Sequence, residues 1–139
     1  MLTKIRYLKL LLSAMALLFI NSQAIADVAV IVSADSDISS MSKAEVKAAY
    51  LGKNKKFFPT TLPKGDEARD NLMSKVIGKS ESQFQSYWSK KIFSGKGIPP
   101  KVVDNASIMK KSIAGSSKAV GYIDSSQVDD SVKVVYTIE

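Results

Sequence analysis

Hydrophobic positions divide the chain at its start. Met1 to Lys9 carries Lys4, Arg6 and Lys9 and no acid, and Leu10 to Ile20 is apolar apart from one serine. Polar Asn21-Ser22-Gln23 follows, and Ala24-Ile25-Ala26 closes the stretch in a small-x-small pattern. Basic, apolar and small segments in that order are the layout of a secretory signal peptide. The apolar run has about half of the roughly 20 residues that a membrane-spanning helix needs. The pattern therefore predicts a signal peptide over 1–26, cleaved after Ala26, and a protein that is not integral to the membrane after cleavage.

Beyond Ala26 the pattern turns to strands and amphipathic helices. Asp27 to Val32 (DVAVIV) is a β-branched apolar run suited to a buried strand. The polar stretch SADSDISS then reads as a loop. Ser42 and Glu45 form a capping box, followed by a helix with Val46, Ala49 and Tyr50 on one face and Gly52 at its stop. Lys53 to Phe58 is a basic, aromatic turn, and Thr60-Thr61-Leu62 a short strand ended by Pro63-Lys64-Gly65. Asp66 caps the next helix, whose apolar positions are Leu72, Met73, Val76 and Ile77, up to Gly78. A second box, Ser80 to Gln83, opens a helix with Phe84, Tyr87, Trp88, Lys91 and Ile92 in a core-facing stripe. Ser94 to Pro100 must be irregular. Asp104 or Asn105 caps a short helix that ends at Gly115, with Ile108 and Ile113 turned inward. Ala119 to Ile123 and Ser131 to Ile138 are strands. Strands separated by helices predict an α/β fold with a mixed or largely parallel sheet flanked by helices.

Composition narrows the function. Of 139 residues, 26 belong to the leader, and the remaining 113 form a single domain, 27–139, that can bury a core without disulfides. The chain has no cysteine and no histidine. That removes the usual zinc and copper ligands, thiol nucleophiles and histidine triads, and nothing else calls for a cofactor. An exported chain without cysteine fits a bacterial periplasm. The precursor has 20 basic and 13 acidic residues, and the leader takes three of the basic ones, leaving +4. The excess sits at Lys53, Lys55 and Lys56, at Lys90 and Lys91, and at Lys110 and Lys111, with Arg69 the one arginine outside the leader. A nucleic-acid binder carries a denser Arg/Lys stripe, so no nucleic-acid partner is expected. Asp35, Asp37, Asp66, Glu67 and Asp124 are the conceivable acid/base groups, and their spacing commits no two of them as a pair, so no enzyme is expected.

Three segments carry a resemblance. Ser42 to Phe57 (SKAEVKAAYLGKNKKF) resembles the helix, (F/Y)LGK and basic–aromatic turn of phosphate ABC-transporter substrate-binding proteins. Tyr87-Trp88 through Phe93 to Pro100 is similar to the YW…F.GKG.PP stretch of their short, single-lobe relatives. Ala119-Val120-Gly121-Tyr122-Ile123 resembles the family's (A)(I/V)GY(I/V) strand. The resemblance implies a single lobe of a type 2 periplasmic-binding-protein-like fold. In that family a Ser-Gly-Thr turn and amides at a helix start hold phosphate, as free amides and a helix dipole do for anions generally.

The family turn aligns with Lys64, Gly65, Asp66, Glu67, Ala68 and Arg69. The hydroxyls are missing there, and Asp66 and Glu67 bring negative charge to an anion site. Lys64 and Arg69 are the groups that could offset it, Arg69 with a bidentate fork. Alternatively, Asp66 and Glu67 simply cap the helix and Arg69 pairs on the surface with Asp70 or Glu67. Ser33, with Ser36, Ser39 and Ser40, follows the first strand at an end where open α/β sheets bind ligands. Lys96, between two glycines, is a weaker anion candidate.

The resemblance implies an exported phosphate-type substrate-binding protein, with a small oxyanion and an envelope transporter or sensor as partners. The alternative is a non-catalytic envelope interaction module that has lost phosphate binding. A homodimer would rebuild a two-sided cleft. Edman sequencing of the exported protein is expected to begin at Asp27, and an intact Met1 refutes the cleavage.

Overall fold

The computed structural model describes residues 27–139; residues 1–26, on which the expected signal peptide falls, lie outside them. Strand β1 (Val28–Ser33) is followed by α1 (Lys43–Tyr50), β2 (Phe58–Thr61) and α2 (Glu67–Leu72), which continues into a π-helical turn over Met73–Ile77. Then come α3 (Glu81–Phe93), β3 (Lys101–Val102), α4 (Ala106–Ala114), β4 (Ala119–Asp124) and β5 (Val132–Ile138). The five strands form one mixed sheet in the order β3-β2-β4-β1-β5. β2 runs parallel to β3 and β4, whereas β1 is antiparallel to both β4 and β5.

The central strands explain the apolar runs. All six residues of β1 are buried, as are Ala119 to Ile123 of β4. Strands covered on both faces have no solvent side to alternate toward. β5 behaves differently, burying Val132, Val135 and Ile138. Its register against β1 shifts between Val30 and Ile31, so Val135 is an extra residue that changes the phase of the strand. β3 carries no sequence signal, because its two residues after Pro99-Pro100 are too few to show a period.

Local signals set the helix starts. Both capping boxes form: the Ser42 hydroxyl accepts from Glu45 N–H at 3.1 Å, and that of Ser80 accepts from Gln83 N–H at 3.1 Å. Asn105, rather than Asp104, caps α4 through the Ile108 amide at 3.0 Å. Ile108 itself is 40% exposed, and Met109 and Ile113 point inward instead. The inward face of α4 meets β4 at Gly121, where a Cβ would stand 2.6 Å from the Met109 sulfur. The glycine is needed there for the close approach of helix to sheet.

The α3 stripe is a core face over part of its length. Phe84 and Trp88 are buried, but Ile92 is 52% exposed. Tyr87, Trp88 and Lys91 each donate to the free carbonyls at the end of α1: Tyr87 OH and Lys91 Nζ to Leu51, Trp88 Nε1 to Tyr50. They thereby satisfy acceptors that the helix leaves open. Gly52 sits under the Trp88 ring with φ of +69°, and a Cβ would stand 2.7 Å from the ring. Left-handed backbone and lack of room both demand glycine there. Gly52→Ala is expected to destabilise the fold by about 2–3 kcal/mol in urea denaturation, the sum of the left-handed penalty and the steric push on Trp88.

Candidate anion-binding cleft

Because β2 and β4 are parallel, their carboxyl ends open onto one edge of the sheet. The chain leaves β2 through Leu62 and Pro63, turns at Lys64-Gly65, and enters α2 behind Asp66. Between this turn and the end of β4 lies a cleft of about 190 Å³, lined by Leu62, Asp66, Glu67, Asn71, Asp124 and Gln127 among others. It lies at the carboxyl edge of parallel strands, where α/β sheets place ligands.

The start of α2 is already occupied by a carboxylate. Asp66 Oδ1 accepts from the Ala68 amide at 2.9 Å and from the Arg69 amide at 3.3 Å. These are amides that the positive end of a helix would otherwise present to an external anion. The capping role expected of Asp66 is therefore real, and it uses up the donors. Glu67 is exposed beside it. Across the cleft Asp124 accepts from the hydroxyl and amide of Ser126, and those bonds hold its carboxyl below the ordinary range. Lys64 and Gly65 are exposed on the turn.

Arg69 does not serve the cleft. Its side chain is 9% exposed, and its fork grips Glu81 from both nitrogens, Nε to Oε1 and Nη2 to Oε2, each at 2.7 Å. The third donor, Nη1, reaches the Leu62 carbonyl at 2.8 Å, and the guanidinium lies 5.9 Å from the Phe84 ring centre. The expected surface pairing with Asp70 or Glu67 is thus replaced by a buried pairing with Glu81 across the α2–α3 junction. The bidentate geometry is present, but its acceptor is internal. The sequence held a clue: Arg69 precedes Leu72, Met73 and Val76 by three, four and seven residues, which puts it on the apolar face of α2.

This arginine joins a polar network inside the core. Tyr122 OH lies 2.6 Å from Thr61 Oγ1 and accepts from the Leu62 amide at 3.0 Å, and Tyr50 OH donates to the Thr60 carbonyl at 2.7 Å. Burial pushes the Tyr122 phenol up to about 12, so it stays protonated. Among the described residues no buried side-chain polar atom is left without a partner.

The other candidates lie elsewhere. Ser33 is buried at the carboxyl end of β1, where its hydroxyl donates to the Ala114 carbonyl at 3.3 Å. Because β1 runs antiparallel to β4, with Val28 opposite Asp124, that end points away from the cleft. Val28 and Ser33 stand five steps apart along the strand, about 17 Å. Ser33 and the Lys64–Arg69 turn therefore do not form one site. Lys96 sits in the exposed loop after α3, also remote from the turn.

No protein-family model matches the chain, and no curated protein matches it. Solved structures do. A Clostridium perfringens structure with bound phosphate, assigned as a phosphate ABC-transporter substrate-binding protein, aligns with TM-score 0.63 at 21% identity. An ABC-type phosphate transport receptor from Vibrio cholerae aligns with TM-score 0.61 at 19% identity, and PstS from Borrelia burgdorferi with 0.56 at 11%. This chain has the fold of one lobe of a phosphate-type substrate-binding protein. Each alignment covers 79% of this chain but only 45–47% of the other, so the lobe spans less than half the length of those proteins.

Arg69→Ala strips Glu81 and the Leu62 carbonyl of their partner within this lobe. The expected loss is about 3 kcal/mol in urea denaturation, the low end for breaking a buried pair because Glu81 is partly exposed. Hydrogen bonding to Arg69 is the main cause that lowers the Glu81 carboxyl, and burial opposes it. A lowered folded value stabilises the fold above the unfolded carboxylate range and loses that contribution as pH falls through the folded value. Glu81→Gln is therefore expected to flatten stability against pH below about pH 4.5. An unchanged acid slope refutes the coupling.

Proposed function

We propose that this chain is an exported, phosphate-type substrate-binding protein that serves an ABC transporter and takes a small oxyanion at the start of α2. One observation carries the reading. A lobe folded like those of phosphate-binding proteins places an open cleft at the carboxyl ends of β2 and β4, with α2 beginning on its wall. The basic, apolar and small segments of residues 1–26 support delivery to the periplasm. In this role the Ala68 and Arg69 amides hold the oxyanion, Lys64 supplies positive charge, and Asn71 and Gln127 offer side-chain amides. The role is binding rather than catalysis.

Asp66 then acts as an internal competitor. Its carboxylate sits on the amides the ligand needs, and Glu67 and Asp124 add like charge that costs binding. Asp66→Ser keeps a good cap while removing the charge. Isothermal titration with inorganic phosphate is expected to show this variant binding at least about tenfold more tightly than the wild type, a gain of about 1.4 kcal/mol. At 100 times its dissociation constant, phosphate adds about 2.7 kcal/mol of stability, which a thermal shift detects.

The filled helix start also favours a second reading, a lobe that has given up phosphate and is kept to dock on an envelope partner. Absence of heat and of any thermal shift at millimolar phosphate, in both the wild type and Asp66→Ser, overturns the first reading and leaves the second.

A further inference from the structure

Charge is segregated along this chain. Residues 46–65 and 82–103 hold nine lysines and no acidic residue, while the rest of 27–139 holds the other eight basic residues and all 13 acids. The fold brings the two stretches together. The turn after α1, the end of α3, the Gly95–Pro99 loop and the start of β3 line an open groove of about 820 Å³ that includes Lys55, Lys91, Lys96 and Lys101. Phe58 begins β2 and Lys101 begins β3, so the groove lies at the amino ends of these strands, at the opposite end of the sheet from the anion cleft. Lys53, Lys56 and Lys90 are exposed close by in the chain. Among the described residues none of these seven lysines makes an ion pair.

Large apolar side chains stand in the same segments and face water. Phe93 is 96% exposed and Ile98 87%, on either side of the Gly95–Gly97 turn, with Phe58 at 62% and Val102 at 59%. Phe93 is not part of the groove wall, so a ligand seated in the groove leaves it uncovered.

We propose that this face is a peripheral docking surface for an anionic membrane. The lysines other than Lys91, whose Nζ the Leu51 carbonyl holds, meet lipid phosphates, and Phe93 and Ile98 enter the interfacial layer, with Phe58 and Val102 behind them. Two features favour a lipid surface over a protein. Protein interfaces are depleted in lysine and enriched in arginine, and this face is all lysine. A groove whose charged lining is lysine alone also suits a surface of uniform charge better than the mixed charges of a protein partner. No helix among the described residues is long and apolar enough to cross a membrane, so the contact is peripheral. Docked this way, the protein turns the α2 cleft away from the bilayer.

Co-sedimentation of the exported protein with vesicles tests this. Binding is expected to vesicles of phosphatidylcholine with phosphatidylglycerol and not to phosphatidylcholine alone. It should weaken at least about tenfold as salt rises from about 0.05 to about 0.5 M, which shortens the screening length severalfold. Lys53→Glu, Lys55→Glu, Lys56→Glu and Lys96→Glu together should abolish it. Phe93→Ser with Ile98→Ser should weaken it at least about fivefold at unchanged melting temperature, since both side chains are already exposed. Lys43→Glu with Lys111→Glu, exposed on other segments, is the control and should change it little. Paired variants share one N-terminus, so any contribution from residues 1–26 cancels. Failure to bind anionic vesicles, or equal loss in the control, overturns the proposal. So does loss of inorganic-phosphate heat in the four-lysine variant, which assigns the face to a soluble anion. So does capture of an acidic protein that depends on these lysines while vesicle binding is absent. Phosphate binding that responds only to Asp66→Ser leaves the two surfaces independent.

Discussion

A guanidinium removed from water needs partners for its nitrogens, and the partners here organise the junction of three elements. Arg69 on α2 takes both oxygens of Glu81 at the start of α3 and the carbonyl of Leu62 at the end of β2. An unpaired charge at 9% exposure would cost several kcal/mol. The paired fork therefore restricts how β2, α2 and α3 can be arranged. Thr61, Tyr122 and Tyr50 continue the constraint across the sheet through short hydrogen bonds to the same strand end. This network ties down the carboxyl end of β2, which forms one wall of the cleft.

The same pairing decides the electrostatics of the cleft. With its arginine turned inward, the cleft keeps Asp66, Glu67 and Asp124 and only the exposed Lys64 on its turn. The positive charge of the lobe collects instead at the amino ends of β2 and β3. One end of the sheet thus presents a cleft lined by carboxylates, and the other a groove lined by lysines.

The motifs that carry the family resemblance prove to be packing devices. The glycine of Tyr50-Leu51-Gly52-Lys53 lies under Trp88, whose indole in turn caps α1. The glycine of Ala119 to Ile123 admits Met109 and Ile113 against β4. A Cβ at Gly97 would stand 3.2 Å from the same Trp88 ring, so glycine lets its loop pack there. Such motifs report the architecture of a lobe because they are its contacts. They do not report a ligand, which fits an architecture that is shared at 21% identity.

Elements governed by neighbours in the chain were readable from residue order: both capping boxes, the Asp66 cap, the buried strands and the stop at Gly52. A cap needs only residues three apart, and burial period needs only the next few positions. What depended on distant partners was not readable. Arg69 finds Glu81 twelve residues on, Val135 bulges against a strand more than a hundred residues earlier, and Ser33 points away from the cleft because β1 runs antiparallel to β4. The composition carried the lysines, but their gathering around one groove arose when the parallel strands β2 and β3 brought separate segments side by side. Periodicity encodes which residues are buried, whereas the sheet order and strand direction fix what they are buried against.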